Sequence, residues 1–221
     1  MGIYMNKDKV VAFDCDGTIL NTYNLIQQTF KITFKELFPD YEVSKEELES
    51  FFGPGLHDTF SKYVKTEDEV NYCVDRYRYH NHRIMKDYIE CFEGIEDLLI
   101  YLKDHGYRIM IVSNKISSAI QYGLELCHVE QYIENIIGYE RIIPKPDPDG
   151  IYQAMKLYDV DNLLFVGDTS IDMKTGVNAK VPTVGVTWCK SSREELFESG
   201  ATYVIDHPSE LIKIIEEENI F

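Results

Sequence analysis

Paired cysteines, basic side chains and long apolar runs are all scarce in this sequence of 221 residues. The five cysteines, Cys15, Cys73, Cys91, Cys127 and Cys189, are odd in number and widely spaced, and they form neither a Cys-x-x-Cys pair nor a Cys/His zinc pattern. They read as reduced thiols of a cytoplasmic protein. Lys and Arg number 22 against 38 Asp and Glu, a net charge of −16. Such a chain repels polyanions, so no nucleic acid and no membrane is expected among its partners. An anionic substrate would need a local positive site. No apolar run reaches membrane-spanning length, residues 1–9 lack the apolar core of a signal peptide, and Gly2 is followed by Asn6 where myristoylation wants Ser or Thr. There is no internal repeat, linker tract or low-complexity segment. Nucleotide loops are missing too: no Gly-x-x-x-x-Gly-Lys occurs, and Gly53, Pro54 and Gly55 are not followed by a third Gly at the right distance.

What is present begins with the run Lys9, Val10, Val11, Ala12, Phe13, Asp14, Cys15, Asp16, Gly17, Thr18. Four apolar residues in a row predict a fully buried strand, and the Gly predicts a sharp turn. Alternation along an extended chain would put Asp14 and Asp16 on one side, where their like charges need a proton or a divalent cation. Alternatively, the two acids merely bond nearby backbone N–H groups of a turn. Cys15 would face the other way and serve packing.

Beyond Thr18 the text turns helical. Residues 22–38 carry an amphipathic pattern ended by Pro39, Ser44 to Glu47 read as a capping box for a helix running towards Phe52, and residues 66–88 read as one or two longer helices. No strand is expected between 20 and 90. From residue 95 helices alternate with short β-rich runs: strands at 107–112, 133–137, 163–166, 183–186 and 202–205, and helices at 95–105, 117–127, 150–157, 171–179 and 193–199. That alternation predicts an α/β fold, a doubly wound parallel sheet covered on both faces. Residues 1–20 and 93–221 would form the core, and residues 21–92 an inserted all-helical domain.

Four strand ends carry the chemistry. The first holds Asp14 and Asp16. The second holds Ser113 and Asn114 ahead of a helix, where a hydroxyl and free N–H groups suit phosphate, although Ser113 alone reads equally well as an N-cap. In the third segment, Pro144, Pro146 and Pro148 stiffen the backbone around Lys145, which aims its charge. The fourth, Gly167 to Asp172, sets Asp168 and Asp172 four residues apart at a helix start, either as a pair on one side of the first turn or as ordinary helix caps.

This order of motifs resembles the haloacid dehalogenase superfamily, across the whole chain and including a helical cap between the first and second motifs. The resemblance implies a phosphatase acting on a small phosphorylated metabolite, with Mg²⁺ as cofactor. It implies Asp14 as nucleophile, Asp16 as acid and base, and Ser113 and Lys145 as catalytic phosphate-binding and charge-balancing groups. Gly17, Thr18 and Asn114 would help bind substrate. Asp14, the Asp16 main-chain carbonyl and Asp168 would hold the metal, with Asp172 fixing coordinated water or its outer shell. An acid at Asp16 favours phosphoryl chemistry over dehalogenation.

Weaker similarities, at residues 16–22, 53–60 and 185–188, point to the phosphoglycolate phosphatase branch and its bacterial pyrophosphatase relatives. They would bring His57 over the phosphate pocket, or mark no more than a helix–helix turn. The run Arg76 to Arg83 is the densest positive cluster. It is either a solvated helix face or a receiver for a second anionic group. Two rivals remain: a sugar phosphomutase resembling β-phosphoglucomutase, and a non-catalytic phosphate-binding regulator. A monomer or homodimer fits equally.

Overall fold

Strands that read as unbroken apolar runs belong in a sheet covered on both faces, because only there are both sets of alternating side chains removed from water. The computed structural model, which describes residues 8–217 and 220, shows this. Six parallel strands form one sheet: Lys9–Phe13 (β1), Tyr107–Val112 (β4), Asn135–Ile137 (β5), Leu164–Gly167 (β6), Thr183–Val186 (β7) and Tyr203–Ile205 (β8), in the order β5-β4-β1-β6-β7-β8. Val11 of β1 pairs with Ile109 on one side and Leu164 on the other. Val10, Val11, Ala12 and Phe13 are at most 1 % exposed. Each such large apolar side chain contributes about 1.5–3 kcal/mol on burial.

The connections set the place of the site. After β1 the chain moves to β4 and β5 on one side, then returns to β6 on the other and continues outward. Neighbouring strands whose connections diverge leave a crevice at their carboxyl ends, here between β1 and β6. Helices Ile95–Asp104 (α5), Ser117–Leu126 (α6), Asp149–Tyr158 (α7), Ser170–Ala179 (α8), Arg193–Glu198 (α9) and Ser209–Glu217 (α10) flank the sheet. On one face Val10, Ala12, Met110 and Phe165 pack with Ile151 and Ala154 of α7 and Ala179 of α8.

Among the described residues, Asn21–Glu90 makes one compact unit, and the residues before and after it the other. The helical unit contains Tyr23–Leu37 (α1), Lys45–Ser50 (α2), Leu56–Phe60 (α3) and Glu67–Tyr88 (α4). Its core is aromatic: Phe30 lies 4.5 Å from Phe51 and 4.6 Å from Tyr77, and Phe34 lies 4.8 Å from Tyr63, centroid to centroid. Ser44 and Glu47 form the expected capping box of α2.

Of the one or two helices expected over residues 66–88 there is one, opened by a second capping box of Thr66 and Glu69. Other expectations need correcting. Leu20–Asn21 (β2) and Glu90–Cys91 (β3) pair as a two-residue ribbon within the stretch read as free of strand. The strand expected at 133–137 begins only at Asn135, since Glu130–Tyr132 curls into a 3₁₀ turn. Helix α10 had no counterpart in the reading. The readings of residues 1–9 and Gly2 as lacking leader and acylation signals rest, up to residue 7, outside the described residues. No described helix is long and apolar enough to cross a membrane.

Candidate active site

The site grows from the carboxyl end of β1. Asp14 follows the last strand residue, and its N–H is still paired, at 2.8 Å to the carbonyl of Val166. From there the chain turns instead of staying extended. Ile19 and Leu20 N–H groups both donate to the Cys15 carbonyl, and Gly17 N–H donates to that of Leu20. Gly17 takes φ +80°, and a Cβ there would stand 2.2 Å from Asp168 Oδ2. Only glycine can make this turn and leave room for that carboxylate.

Beyond the proton or divalent cation expected for Asp14 and Asp16, the turn gives each acid a charged partner. Each meets its own lysine. Lys145 Nζ donates to Asp14 Oδ1 at 2.7 Å, whereas Lys115 Nζ donates to both Asp16 oxygens, at 2.9 and 3.1 Å. Lys115 was not singled out in the sequence. Its only signal was a lysine two residues beyond Ser113 at a strand end, and its partner lies 99 residues away.

Lys145 also donates to Asp172 Oδ1, at 2.5 Å. The lysine is 7 % exposed, and burial opposes its charge, but Asp14 and Asp172 outweigh that and hold its pKa up. The same competition acts on Lys115, where burial is opposed and outweighed by Asp16 together with Cys15 and Asp14. Lys145 is aimed by more than proline. Its N–H donates to Asn114 Oδ1 at 2.8 Å, and its carbonyl accepts from Asn114 Nδ2 at 3.3 Å. The Asn114 side chain, expected to bind substrate, is therefore engaged in clasping the Lys145 backbone.

Asp168 precedes helix α8 instead of lying in its first turn, because Thr169 is the N-cap. Asp172 serves both expected ends at once. Its Oδ2 accepts from Thr169 N–H at 3.0 Å and Thr169 Oγ1 at 2.6 Å as a capping box, while Oδ1 faces Lys145. Ligand oxygens of Asp14, Asp168 and Asp172 all lie within 4.8 Å of one another. Thr18 Oγ1 donates to Asp168 Oδ1 at 3.2 Å, but Asp168 Oδ2 is buried without a hydrogen-bond partner.

Three buried carboxylates against one lysine leave an excess of negative charge. Burial, reinforced by Asp172 and then Asp14, raises the pKa of Asp168 well above the carboxylate range. Burial pushes Asp14 up to about 6, with Lys145 pulling it down and Asp172 adding to the rise. An orphaned carboxylate oxygen within an all-oxygen donor set fits a hard divalent cation.

Ser113 is buried at the end of β4, and its hydroxyl accepts from Lys115 N–H at 3.3 Å. It is not an N-cap: that position of α6 is Ile116. Of the N–H groups expected to be free at the start of α6, the first, that of Ser117, donates to the Glu140 carboxylate at 3.1–3.2 Å.

His57 belongs to α3 of the helical unit, where its Nε2 lies 3.1 Å from Asn71 Oδ1. Part of the positive cluster of that unit is engaged locally. Arg76 donates to Glu36 through Nε at 2.6 Å and Nη2 at 3.0 Å, His80 Nε2 lies 2.5 Å from the same carboxylate, and Arg83 donates to Tyr79 OH at 3.1 Å.

With this geometry in place, comparison with known proteins decides the family. Residues 11–186 match the haloacid dehalogenase-like hydrolases. The chain belongs to that family. It is 31 % identical over 216 residues to the pyrophosphatase PpaX of Listeria monocytogenes serotype 4b, covering 96 % of this chain and 98 % of the relative. To the PpaX of Bacillus cereus it is 32 % identical over 216 residues, covering 96 % and 99 %. A crystal structure described as a predicted phosphatase from Clostridium acetobutylicum superposes with a TM-score of 0.84 at 27 % identity, covering 96 % of this chain and all of that one. The haloacid dehalogenase-like hydrolase described here thus falls on the phosphatase branch.

Proposed function

We propose that the protein hydrolyses a small phosphorylated metabolite, phosphoglycolate-like or pyrophosphate, through a phosphorylated Asp14. The observation that carries this reading is the buried Asp14 carboxylate at the mouth of the β1/β6 crevice, one oxygen held by Lys145 at 2.7 Å and flanked by Asp168 and Asp172. The names of the PpaX relatives support pyrophosphate as one candidate substrate.

Phosphate-ester hydrolysis is among the slowest uncatalysed reactions, and its enzymes reach accelerations of up to ~10²¹, about 28 kcal/mol. Positioning and charge neutralisation supply most of that. An Asp14 oxygen attacks phosphorus as the bond to the leaving oxygen breaks, and the departing pair takes a proton from Asp16. The Asp16 carboxylate then takes a proton from water while the water oxygen attacks phosphorus, and the bond to Asp14 breaks with its pair returning to the carboxylate. Lys145 balances the charge of nucleophile and phosphoryl group. Ser113 donates to a phosphoryl oxygen, and the main chain at Gly17 and Thr18 lines the turn around it.

Asp14, the Asp16 carbonyl and Asp168 would hold Mg²⁺, with Asp172 bonding its coordinated water. When bound, the ion neutralises the acidic cluster and draws charge from the phosphoryl oxygens.

The test is phosphate release by purified protein across phosphoglycolate, pyrophosphate, hexose phosphates and nucleotides with Mg²⁺. We expect a preference for one small dianionic substrate, abolished in Asp14→Asn without change in the folded-state circular dichroism. Comparable release by the mutant would sink the assignment of Asp14. Interconversion of a hexose phosphate without release would replace the hydrolase by a mutase.

A further inference from the structure

The ion pair between Lys115 and Asp16 has a geometry that the charge balance of the site does not call for. Lys145 already serves the acidic cluster. Lys115 instead spans both oxygens of a single carboxylate, and the two side chains are only 11 % and 22 % exposed. Its own backbone is pinned. The Lys115 N–H donates to Ser113 Oγ at 3.3 Å, and its carbonyl accepts from Tyr139 N–H at 3.0 Å. Gly138 presses against it so closely that a Cβ there would stand 2.7 Å from the Lys115 carbonyl oxygen. Asp16 sits in the turn just ahead of Gly17, where its backbone bridges to Leu20 and the Gly17 N–H donates to the Leu20 carbonyl. A fixed cation therefore grips a carboxylate carried by a turn.

We infer that Lys115 is a positioning residue that holds the Asp16 carboxyl group in line with the leaving oxygen. This rests on the assignment of Asp16 as acid and base given above. In the first half-reaction one Asp16 oxygen gives its proton to the leaving oxygen as the phosphorus–oxygen bond breaks. In the second, Asp16 takes a proton from the attacking water. Either transfer needs one carboxyl oxygen free and the other anchored. An ammonium that spans both oxygens of the resting carboxylate can let go of the oxygen that exchanges the proton and keep its bond to the other. Lys115 remains an ammonium throughout and contributes no proton. Without it, Asp16 would sample other rotamers, and a small misplacement of a reacting group is costly in rate.

The experiment compares kcat/KM, which reports steps only up to formation of the covalent intermediate, for two leaving groups. In p-nitrophenyl phosphate the phenolate departs unprotonated, whereas an alkyl phosphate needs a proton on its leaving oxygen. In Lys115→Met we expect kcat/KM for the alkyl phosphate to fall about 100-fold, within the range that general acid catalysis supplies. The value for the aryl phosphate should fall far less, and inhibition by inorganic phosphate should stay unchanged. Lys115→Arg, which keeps a cation able to span two oxygens, should recover part of the alkyl activity. Asp16→Asn should show the same selectivity, more strongly.

Equal losses on both substrates with weaker inhibition by inorganic phosphate would overturn the proposal and make Lys115 a phosphate ligand. Wild-type kinetics in Lys115→Met would overturn it as well, leaving an ordinary buried pair. If Asp14→Asn retains wild-type rates, the underlying assignment falls and the role of Lys115 falls with it. That outcome is separate from a failure of Lys115 alone, in which Asp14→Asn is inactive.

Discussion

At the scale of single residues, the site depends on contacts that leave no room for variation. Gly17 shows this most clearly, since its φ of +80° and the 2.2 Å approach of Asp168 Oδ2 to a notional Cβ act together. Gly17→Ala should cost about 1–2 kcal/mol for the left-handed backbone alone. By displacing Asp168 it should also lower activity about 10–100-fold through weaker metal binding. A Mg²⁺ titration of the reaction rate checks this, and wild-type affinity in the variant would refute it. Asn114 illustrates the opposite lesson. Its position after Ser113 suggested contact with substrate, yet its amide makes two bonds to the Lys145 backbone. Replacing it with Ala would act on catalysis only through the aim of Lys145.

At the scale of elements, helix α4 is fastened to α1 by polar as well as aromatic contacts. Asn81 Nδ2 donates to Thr29 Oγ1 at 3.2 Å, while Thr29 itself donates to the Leu25 carbonyl. Glu36 at the end of α1 accepts from Arg76 and lies against His80, and these bonds lower its pKa to about 2. Arg76 is the largest cause and His80 the next. Because the folded pKa lies below the unfolded value, the pair contributes stability above about pH 4.5, and that contribution is lost as pH falls towards 2. The side-chain carboxyl of Glu36, followed by NMR, should therefore titrate near pH 2 in the native protein. In Arg76→Met it should move back towards the ordinary range. A native titration in the ordinary range would show that Arg76 is not held by Glu36 in solution. Arg76 and His80, part of the cluster read either as a solvated face or as a receiver for anions, form a clasp between two helices in the fold.

At the scale of the whole molecule, a cation held as proposed by the three buried carboxylates would stabilise the sheet-bearing unit. A ligand at 100 times its Kd adds about 2.7 kcal/mol to a folded state that alone binds it. For a chain of this size that corresponds to a rise of roughly 5–11 °C in the Tm of that unit. Mg²⁺ should produce such a shift by calorimetry, and EDTA should reverse it. Asp168→Asn, which removes one of the three carboxylates that would hold the ion, should abolish the shift. An unshifted Tm in the native protein, with activity resistant to EDTA, would exclude the acidic cluster as a metal site.

The parallel sheet was legible because burial on both faces demands uninterrupted apolar strands, which stand out as Val10 to Phe13 or Ile109 to Val112. The helix starts at Ser44 and at Thr66 were legible because capping is local, and both form capping boxes in the fold. Asp14, Asp16, Lys145, Asp168 and Asp172 could be picked out one by one, since each follows an apolar strand or stands among prolines. How they pair could not. Asp14 meets Lys145 across 131 residues of chain, and Asp16 meets Lys115 across 99. Glu140 takes the first N–H of the helix terminus that the sequence offered to phosphate. The sequence by itself determined the strands, the helical insertion and the acids available at the strand ends, because these follow from hydrophobic period and local turn chemistry. Only the tertiary structure decided which lysine each acid holds and which polar groups are already spent, because electrostatic pairing depends on distance through space and not along the chain.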